Sequence, residues 1–521
     1  MPRFTKLCIL LLIGIALCVP SAAQEYRGIT LLYTNDIHDH LLPFSYPDPP
    51  NQSLGYAHMK AIKNIGGVAR IATLINNIRR ETRGNCLAFD SGDLLEGTPF
   101  TIEYHGEADF AALSAAGYNA FVLGNHDFQV SLDQFHKNVR LASFPVVCAN
   151  VIDRKTGKLL LPPYTILTVQ DVKIAVLGVT ADGVAAGLMA VKEGLTVTDP
   201  VAAAREYVPK LREQADLVFI LSHMGVGEDK KLAKDIPGID VIFGGHSHSW
   251  QERPILVKNR DWEPFRIDGT ISAYCYEHGG ELGRLDLRLR RNDGRFEIMS
   301  FDGGLIPVTA DIPDDPKTAK VIDRYYKPIA PRYEEVVGEA ADTFFNDRVG
   351  ENTMLNVICD AMKEVTGSQV AVYGEAGVRG DLIAGPVKVW DLSLVMPNPY
   401  KMVTMQLTGA RLKEHLALRI PGVSAGMKYK VVGATATDGP RKGQRVGTIV
   451  ECTLDGKPID DNAIYTLTTH EWFLQLFFKD MPDAKILDID CRDAVAEYFR
   501  KHKVVSPVRD GRRDVERGLL G

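Results

Sequence analysis

The sequence lacks the features that mark membrane, nucleic-acid-binding and cysteine-rich proteins. Beyond its first 23 residues it has no apolar run long enough to span a bilayer. Its 60 Lys and Arg face 66 Asp and Glu, so no basic excess indicates a nucleic acid polymer as partner. Only 8 cysteines occur in 521 residues and none forms a Cys-x-x-Cys pair, which argues against a cysteine-based zinc site. These absences leave a globular protein whose chemistry rests on other residue types.

The composition is that of an ordinary folded chain. Hydrophobic residues make up 45% and charged residues 24%, which argues against disorder. The length allows two or more domains. Outside the amino-terminal segment the cysteines are Cys86, Cys148, Cys275, Cys359, Cys452 and Cys491. A chain of this size does not need disulfides, and the spacing of these cysteines does not predict a pairing.

The first 23 residues have the pattern of a secretory signal. Two basic residues precede the apolar run LCILLLIGIALCV, which is followed by a proline and the small residues SAA. This order predicts export, with cleavage after Ala23. A membrane anchor is the competing interpretation, but the run is short for a bilayer span, and Leu17 is too bulky for lipoprotein processing at Cys18. We expect a periplasmic or secreted protein that keeps no membrane span once residues 1–23 are removed.

Short apolar runs alternate with helical patterns from about residue 28 to residue 289. The runs include ITLLYT, AFVLG, KIAVLGVT and DVIFGG, and the intervening segment GGVARIATLINNIRRE carries apolar residues at helical spacing. This alternation predicts an α/β layer structure. A charged helical segment then separates it from a second α+β unit. The predicted divisions are a signal segment (1–23), an α/β domain (24–311), a helical linker (312–337) and a smaller α+β domain (338–521).

Residues that bind metals or carry protons follow five of the predicted strands. They are Asp36 and His38 after ITLLYT, Asp93 after CLAFD, Asn125 and His126 after AFVLG, His223 at the end of LVFILSH, and His246 and His248 after DVIFGG. Because the carboxyl ends of strands in an open α/β sheet form one edge where ligands bind, we expect these side chains to converge.

Each of these motifs alone is an ordinary loop sequence, and only their joint pattern indicates a site. Mixed His, Asp and Asn ligands without sulfur suit zinc, manganese or similar divalent ions. A pair of ions needs a bridging carboxylate, and Asp93 is the candidate because its loop lies between the other ligand loops. Two ions about 3.5–4 Å apart activate a bridging water and clamp the oxygens of an in-line displacement, which suits phosphate esters.

The ordered motifs TNDIH, GDLLEG, GNHD, SHMG and GGHSH resemble those of the calcineurin-like metallophosphoesterases. GGVARIATLI narrows the resemblance to the secreted 5′-nucleotidase family, and two segments of the second half, ENTMLNVICDAM and GEAGVRGDLIAGPVKVWDLSLVMP, are similar to its carboxyl-terminal domain. The resemblance covers nearly all of the chain after the signal. It implies a four-layer α/β/β/α metallophosphoesterase domain joined by a helical linker to a smaller α+β domain of the 5′-nucleotidase type that binds substrate.

The resemblance also implies roles for single residues. One metal would be held by Asp36, His38, Asp93 and His248, and the other by Asp93, Asn125, His223 and His246. His126 would stay free of metal and act on the phosphoryl group, beside Asn125, as the catalytic residue. Arg379 would reach from the second domain to the substrate phosphate, with Arg419 as a weaker second candidate.

Three departures from the family pattern bear on catalysis and substrate. The family usually reads Gly-Asn-His-Glu-Phe-Asp, in which the last Asp orients the catalytic His, whereas this chain reads GNHDFQ and has Gln129 there. We expect Asp127 or another acid to compensate, or the general-acid step to be weaker. The Gly-Gly-Asp-Gly loop near one of the family's base-stacking aromatic rings is missing. Candidate rings are Trp472, Phe473, Phe477 and Phe478, although an aromatic run of this density is more often part of a core. Glu375 lies near the expected phosphate site, where its carboxylate would repel an anion.

These observations predict an exported two-metal phosphoesterase. It would hydrolyse nucleotide-type phosphomonoesters by attack of a metal-bridging hydroxide, with a small-molecule phosphate ester as partner and no nucleic acid polymer. One alternative is the same scaffold acting on a 2′,3′-cyclic nucleotide, a UDP-sugar or a thiosulfate ester. The other is a catalytically weak, metal-containing binding protein, which Gln129 and the missing loop would favour. The sequence leaves the metal identity, the natural substrate and the oligomeric state open.

Overall fold

The computed structural model describes residues 24–48, 59, 62–183, 190–260, 266–347, 351–435, 445–516 and 519. The predicted signal segment lies outside the described residues. Within the described ranges, no helix is both long and apolar enough to cross a membrane.

The amino-terminal part is built on two six-stranded sheets. The first contains, in spatial order, β15 (Arg295–Pro307), β14 (Glu281–Asn292), β1 (Tyr26–Thr34), β2 (Cys86–Asp90), β3 (Ala120–Val122) and β4 (Val146–Val147). Strands β1 to β4 are parallel, and β14 and β15 are antiparallel strands joined by a tight turn. The parallel strands therefore all point their carboxyl ends at one edge.

The second sheet repeats this arrangement. It contains, in spatial order, β12 (Ile255–Lys258), β13 (Gly269–Ala273), β11 (Val241–Gly244), β10 (Leu217–His223), β8 (Val172–Thr180) and β7 (Tyr164–Val169). Strands β8, β10, β11 and β13 are parallel. A small sheet of β5 (Val151–Asp153), β6 (Lys158–Leu159) and β9 (Leu195–Val197) lies beside the main pair.

The sheets pack face to face because alternate residues of their strands point to opposite sides. Tyr33 and Phe89 of the first sheet meet Phe243 of the second, with ring centroids 5.2 and 5.5 Å apart. The neighbouring residues Leu32 and Ala88 face the other way, into a core shared with helices. Residues of both kinds are buried, so each strand contributes to two apolar layers.

Helices cover the outer face of each sheet, which gives the four layers that the resemblance implies. On the first sheet lie α1 (Val68–Glu81), α2 (Pro99–Tyr104), α3 (Glu107–Ala116), α4 (Leu132–Leu141) and α7 (Pro316–Tyr333), and on the second lie α5 (Pro200–Arg212) and α6 (Val226–Asp235). Helix α7 occupies most of the predicted linker. It begins where the Asp315 carboxylate accepts the N–H of Thr318 at 2.8 Å, with Pro316 in the first turn.

In the described ranges the carboxyl-terminal part has three sheets. They are β18 (Gly385–Lys388), β16 (Val336–Ala340) and β26 (Val504–Val505); β20 (Gly422–Val423), β17 (Val370–Tyr373), β24 (Ile464–His470), β19 (Lys401–Thr408) and β25 (Lys485–Asp490); and β23 (Lys457–Pro458), β22 (Arg445–Leu454), β21 (Met427–Thr435) and β27 (Arg513–Val515). The helices are α8 (Thr353–Thr366), α9 (Val389–Val395), α10 (Gly409–Arg419), α11 (Glu471–Phe477) and α12 (Cys491–His502). This mixed α+β composition agrees with the prediction for the second unit.

The two parts touch through aromatic side chains. The Trp390 ring of α9 packs edge-on against Phe100 of α2 and against Tyr326 and Tyr333 of α7, with centroids 5.7–6.3 Å apart. On the other side of α7, Tyr325 hydrogen-bonds Glu107 of α3 at 3.1 Å. Helix α7 is therefore packed between the two parts.

Each of the six described cysteines is buried and unpaired. They are spread over both parts of the fold, and burial raises the pKa of thiols such as Cys86 and Cys452 to about 11.

Candidate active site

The five loops singled out in the sequence meet at one edge of the sheet sandwich. They follow β1, β2 and β3 of the first sheet and β10 and β11 of the second, all at the carboxyl ends of parallel strands. The site is closed on one side and open on the other, because Asp36 and His223 are fully buried whereas His246 is exposed. A small ligand would therefore approach from the side of His246.

Five of the seven predicted metal ligands have a left-handed backbone. Their φ angles lie between 45° and 74°, a region that side chains other than glycine rarely adopt: Asp36, His38, Asp93, His246 and His248. Such strain costs on the order of 1–3 kcal/mol per residue and collects at functional sites. It turns these side chains toward one another at the ends of their strands.

Asp36, His38 and His248 form the first group of possible ligands, with donor atoms all within 4.8 Å of one another. Nε2 of His248 lies 3.4 Å from Oδ1 of Asp36, and Nε2 of His38 lies 4.0 Å from the same oxygen. Nε2 of His38 is also 3.9 Å from Oδ2 of Asp93, so this carboxylate faces the group as well.

The two histidines of this group direct their Nε2 atoms at one another. Nδ1 of His38 lies 3.1 Å from the backbone oxygen of Leu95, and Nδ1 of His248 contacts the Glu277 carboxylate. In the neutral rings each Nδ1 therefore carries the ring hydrogen, and both Nε2 atoms have lone pairs. These Nε2 atoms lie only 3.1 Å apart, so a second proton on one ring or a positive ion bound by both must separate the lone pairs.

Asp93, His223 and His246 form the second group, again within 4.8 Å. Nδ1 of His223 lies 2.7 Å from the backbone oxygen of Ser91, and its buried Nε2 lies 3.0 Å from Oδ2 of Asp93 without a hydrogen bond of good geometry in the described residues. Burial lowers the pKa of His223, but the charges of Asp93 and Asp36 outweigh it and raise the pKa to about 10. The pocket thus strongly favours positive charge.

Asn125 adds an amide oxygen to this second group. Its Oδ1 lies 2.7 Å from Nδ1 of His246. The two groups together contain all seven predicted ligands and have Asp93 between them. The donor set of imidazoles, carboxylates and one amide fits divalent ions such as zinc or manganese.

The loops that carry Asp93 and Asn125 are held together by Asp127. Its carboxylate accepts the backbone N–H groups of Gly124 at 2.7 Å and of Asp93, Leu94 and Leu95 at 3.1–3.2 Å. At Gly124 the loops approach so closely that a Cβ atom would lie 2.1 Å from Oδ1 of Asp93. The Asp127 carboxylate therefore binds backbone N–H groups and not the His126 ring.

His126 lies beside the ligand groups and contacts the second part of the fold. Its Nδ1 is 2.6 Å from Oε2 of Glu96 and 2.8 Å from the side-chain amide of Gln129. Its Nε2 is 3.2 Å from Nη2 of Arg379, which also forms a 3.0 Å ion pair with Glu96. Burial lowers the pKa of His126, but the charges of Glu96 and Asp93 outweigh it and raise the pKa above its usual value.

Two of the remaining predicted substrate residues, Arg419 and Phe473, lie in a separate aromatic cluster. Phe473 is buried against His470 and His415, with ring centroids 4.6 and 5.4 Å apart, and the guanidinium of Arg419 lies 3.8 Å from the ring centre of Phe477. Trp472 is half-buried in the first turn of α11. The structure therefore brings Arg379 to His126 but places Arg419, Trp472 and Phe473 elsewhere.

This cluster is linked to the site by Tyr400. The half-buried Tyr400 ring stacks on His470 at 4.9 Å with an interplanar angle of 11°. After burial, the charge of Glu96 is the largest influence that raises the pKa of Tyr400, so this ring lies near the ion pair of Glu96 and Arg379. Glu375 is paired with Arg513 at 3.4 Å, which offsets the negative charge noted in the sequence.

Sequence reasoning missed Glu96, Glu277, Asn398 and Arg513. Glu277 follows the carboxyl end of β13 and could have been found by the rule that found the other loops. Glu96 lies in the same motif as Asp93, but nothing in the motif says that it faces His126. Nδ2 of Asn398 donates to Oε1 of Glu96 at 2.8 Å across the two parts of the fold, a contact without any local signal.

Comparison with known proteins gives the same two parts. The family model for calcineurin-like phosphoesterases matches residues 29–250, and the model for the 5′-nucleotidase C-terminal domain matches residues 336–476. The 5′-nucleotidase of Vibrio vulnificus is 28% identical over 485 residues, which cover 83% of this chain and 84% of the Vibrio protein. Protein UshA of Yersinia enterocolitica is 25% identical over 492 residues, covering 85% and 84%.

A solved structure has the same fold over most of the chain. The 5′-nucleotidase precursor of Thermus thermophilus superposes with a TM-score of 0.77 at 25% identity, covering 94% of this chain and all of that one. The two family models together match well over half of the sequence, in the order of the two parts of the fold. The chain belongs to the 5′-nucleotidase family of metal-dependent phosphoric ester hydrolases, in which a calcineurin-like phosphoesterase domain precedes a 5′-nucleotidase C-terminal domain.

Proposed function

We propose that the protein is an exported two-metal phosphoesterase that hydrolyses nucleotide-type phosphomonoesters. The catalytic domain would be residues 24–311 and the substrate-binding domain residues 338–521, joined by the linker at 312–337. The observation that carries the proposal is the pair of adjoining ligand groups, in each of which the imidazole nitrogens and carboxylate oxygens converge to within 4.8 Å of one another.

We assign one ion to Asp36, His38, Asp93 and His248, and the other to Asp93, Asn125, His223 and His246. Two divalent ions held there would supply an activated water and neutralise charge on the phosphoryl oxygens. Because a metal site of this kind is accessible from the side of His246, a small ester can reach it. The amino-terminal signal pattern supports export to the periplasm or the medium.

His126 and Arg379 flank the ligand groups and suit a phosphomonoester. The imidazole Nε2 lies beside Arg379, where the protonated ring could donate to a leaving oxygen or stabilise charge in the transition state. The Arg379 guanidinium is the forked cation that binds two phosphate oxygens at once. The dianion of a monoester gains most from this concentration of positive charge.

Hydrolysis of a substrate panel by protein reconstituted with Mn²⁺ or Zn²⁺ tests the proposal. The panel contains p-nitrophenyl phosphate, nucleoside 5′-monophosphates, a 2′,3′-cyclic nucleotide, a UDP-sugar and a thiosulfate ester. We expect 5′-monophosphates to give the highest kcat/KM. A higher kcat/KM for one of the last three substrates would reassign the enzyme within its scaffold, and no turnover by any metal form would indicate a binding protein.

Replacement of His126 by alanine tests the catalytic assignment. General acid–base catalysis contributes about 10²–10⁴-fold, so His126→Ala should lower kcat by this factor while the metal content stays at two ions per chain. His136→Ala, a half-buried histidine of α4 outside the site, is the matched control and should keep the wild-type rate. Equal rates for wild type and His126→Ala would contradict the assignment.

A further inference from the structure

We infer that Glu96 is a positioning residue for His126 and that it replaces the carboxylate which Gln129 cannot supply. The inference rests on the proposed function, because it assigns a partner to the histidine of that same site. In the family pattern an acid at position 129 orients the histidine, and this chain has an amide there. The geometry points to a carboxylate from a different loop as its substitute.

Glu96 is held in place from several directions. Its side chain is 2% exposed, and Oε2 lies 2.6 Å from Nδ1 of His126. Oε1 accepts from Asn398 at 2.8 Å, and both oxygens face Arg379. Its backbone adopts φ 71°, a strained value for a residue with a side chain, and its N–H donates to Oγ1 of Thr101 at 3.2 Å. These contacts fix both the position and the orientation of the Glu96 carboxylate.

The contacts of the ring nitrogens select one tautomer of His126. A guanidinium can only donate, so in the neutral ring Nε2 of His126, 3.2 Å from Arg379, is the accepting nitrogen. The ring hydrogen then lies on Nδ1, where the Glu96 carboxylate accepts it. Nε2 keeps its lone pair toward Arg379, and Glu96 fixes the orientation of the ring as well as the position of its hydrogen.

Gln129 contacts the same Nδ1 but provides a weaker restraint. It lies on the short 3₁₀ helix His126–Gln129, and its side-chain Nε2 is 2.8 Å from the ring nitrogen, so the amide as placed offers its NH₂ group to Nδ1. A neutral amide can accept the N–H only through its oxygen, and it can equally turn its NH₂ group toward the ring. A carboxylate has no such alternative, so the choice of tautomer depends on Glu96.

A second explanation is that Glu96 serves only to bind Arg379 across the two domains. The two explanations predict different kinetics. Loss of domain contact weakens substrate binding and raises KM, whereas a misoriented histidine lowers kcat with little change in KM. A carboxylate restored at position 129 would reorient the histidine and raise kcat again, but it would not restore the contact between the domains.

The experiment compares wild type, Glu96→Gln and the double variant Glu96→Gln/Gln129→Asp with the best ester of the panel. We expect Glu96→Gln to lower kcat by about 100-fold with KM within about threefold of wild type, and the double variant to recover at least tenfold of the loss. A rise in KM at unchanged kcat, or a double variant no faster than Glu96→Gln, would overturn the inference.

Glu103→Gln is the matched control. Glu103 of α2 also carries a carboxylate at the domain boundary, but it binds Tyr333 at 2.6 Å and Arg332 at 2.9 Å and takes no part in the contacts of His126 described above. We expect this variant to keep kcat and KM within about twofold of wild type. Metal content and thermal unfolding, measured for all variants, show whether each variant is folded and loaded.

A readout without turnover separates failure of the inference from failure of the proposed function. If metal-loaded wild type hydrolyses no ester, the proposed function fails, and histidine-selective ¹⁵N NMR still decides on Glu96. With His126→Ala used to assign the signals, we expect the hydrogen on Nδ1 in wild type and a shift toward the Nε2–H tautomer in Glu96→Gln. The same tautomer population in both proteins would overturn the inference.

Discussion

Asp127 illustrates how neighbouring polar residues divide their tasks. It follows His126 directly, yet its carboxylate accepts four backbone N–H groups from the loops of β2 and β3. Hydrogen bonds to a charged acceptor contribute about 1.5–3 kcal/mol each in favourable cases. The Asp127 side chain therefore holds the loops of Asp93 and Asn125 at a fixed distance from each other.

We predict that Asp127→Asn lowers the free energy of unfolding by about 2–4 kcal/mol, because one carbonyl oxygen cannot serve four donors and the new NH₂ group faces them. The affinity for the second ion should fall as well. Urea unfolding and calorimetric Mn²⁺ titration measure the two effects. Asp133→Asn, on the exposed side of α4, should change stability by less than about 0.5 kcal/mol. Wild-type stability of Asp127→Asn would contradict this prediction.

Some residues of the site could be predicted from local sequence patterns, whereas others depend on contacts between distant segments. Asp36, His223 and the others could be predicted because each follows a strand, and parallel strands bring their ends to one edge. Glu96 could not be assigned to His126 from the sequence, because its direction depends on a left-handed φ and on Asn398 from the other domain. Contacts between distant segments carry no local pattern.

At the scale of elements, α10 and α11 pack through a histidine in an apolar setting. His415 of α10 is buried among Phe473, Phe477 and Phe478, and its Nε2 has no hydrogen-bond partner among the described residues. Burial, with help from the charges of nearby arginines, lowers the pKa of His415 to about 3. The two helices therefore require a neutral imidazole.

We predict that His415→Leu makes the protein more resistant to acid. The folded-state pKa lies below the unfolded value of about 6.5, so only the unfolded chain binds the proton, and stability is lost as pH falls from about 6.5 toward 3. At pH 4.5 this group costs on the order of 2–3 kcal/mol in wild type and nothing in the variant. Unfolding midpoints at pH 7.5 and 4.5 measure the difference.

Phe477→Leu is the control for this prediction, since it alters the same helix contact and keeps the imidazole. It should retain the wild-type loss of stability between the two pH values. An equal loss in His415→Leu would show that the histidine does not titrate on unfolding.

The elements themselves followed from simple patterns. The apolar runs became strands and ENTMLNVICDAM lies in α8, because alternation and helical spacing act locally. The aromatic run of α11 was open to two interpretations, core packing or a base-stacking ring. Phe473 and Phe478 are buried in the core, which periodicity could not decide because it does not indicate what an apolar ring packs against.

At the scale of the molecule, the ions would join two sheets that are otherwise held by packing. The ligand loops come from both sheets, whereas the carboxyl-terminal domain has its own cores around α8 and α10. An ion that binds only the folded state stabilises the domain that holds it, by about 2.7 kcal/mol at 100 times its dissociation constant.

We therefore predict that chelation lowers the unfolding temperature of the amino-terminal domain and leaves that of the carboxyl-terminal domain nearly unchanged. Differential scanning calorimetry of protein treated with EDTA, then reloaded with Mn²⁺ or Zn²⁺, measures both transitions. Reloading should restore the amino-terminal transition together with the activity. Identical traces with and without chelator would indicate that the ligand groups hold no ion.

The buried, unpaired state of the six described cysteines affects how the protein matures. With pKa values raised by burial, these thiols stay protonated and react slowly with oxidants or mixed disulfides. Because the described residues form no disulfide, their folding needs no thiol oxidase or disulfide isomerase. Folding of the described residues thus requires no disulfide, and we expect protein made in a reducing cytosol to match protein made in an oxidising compartment.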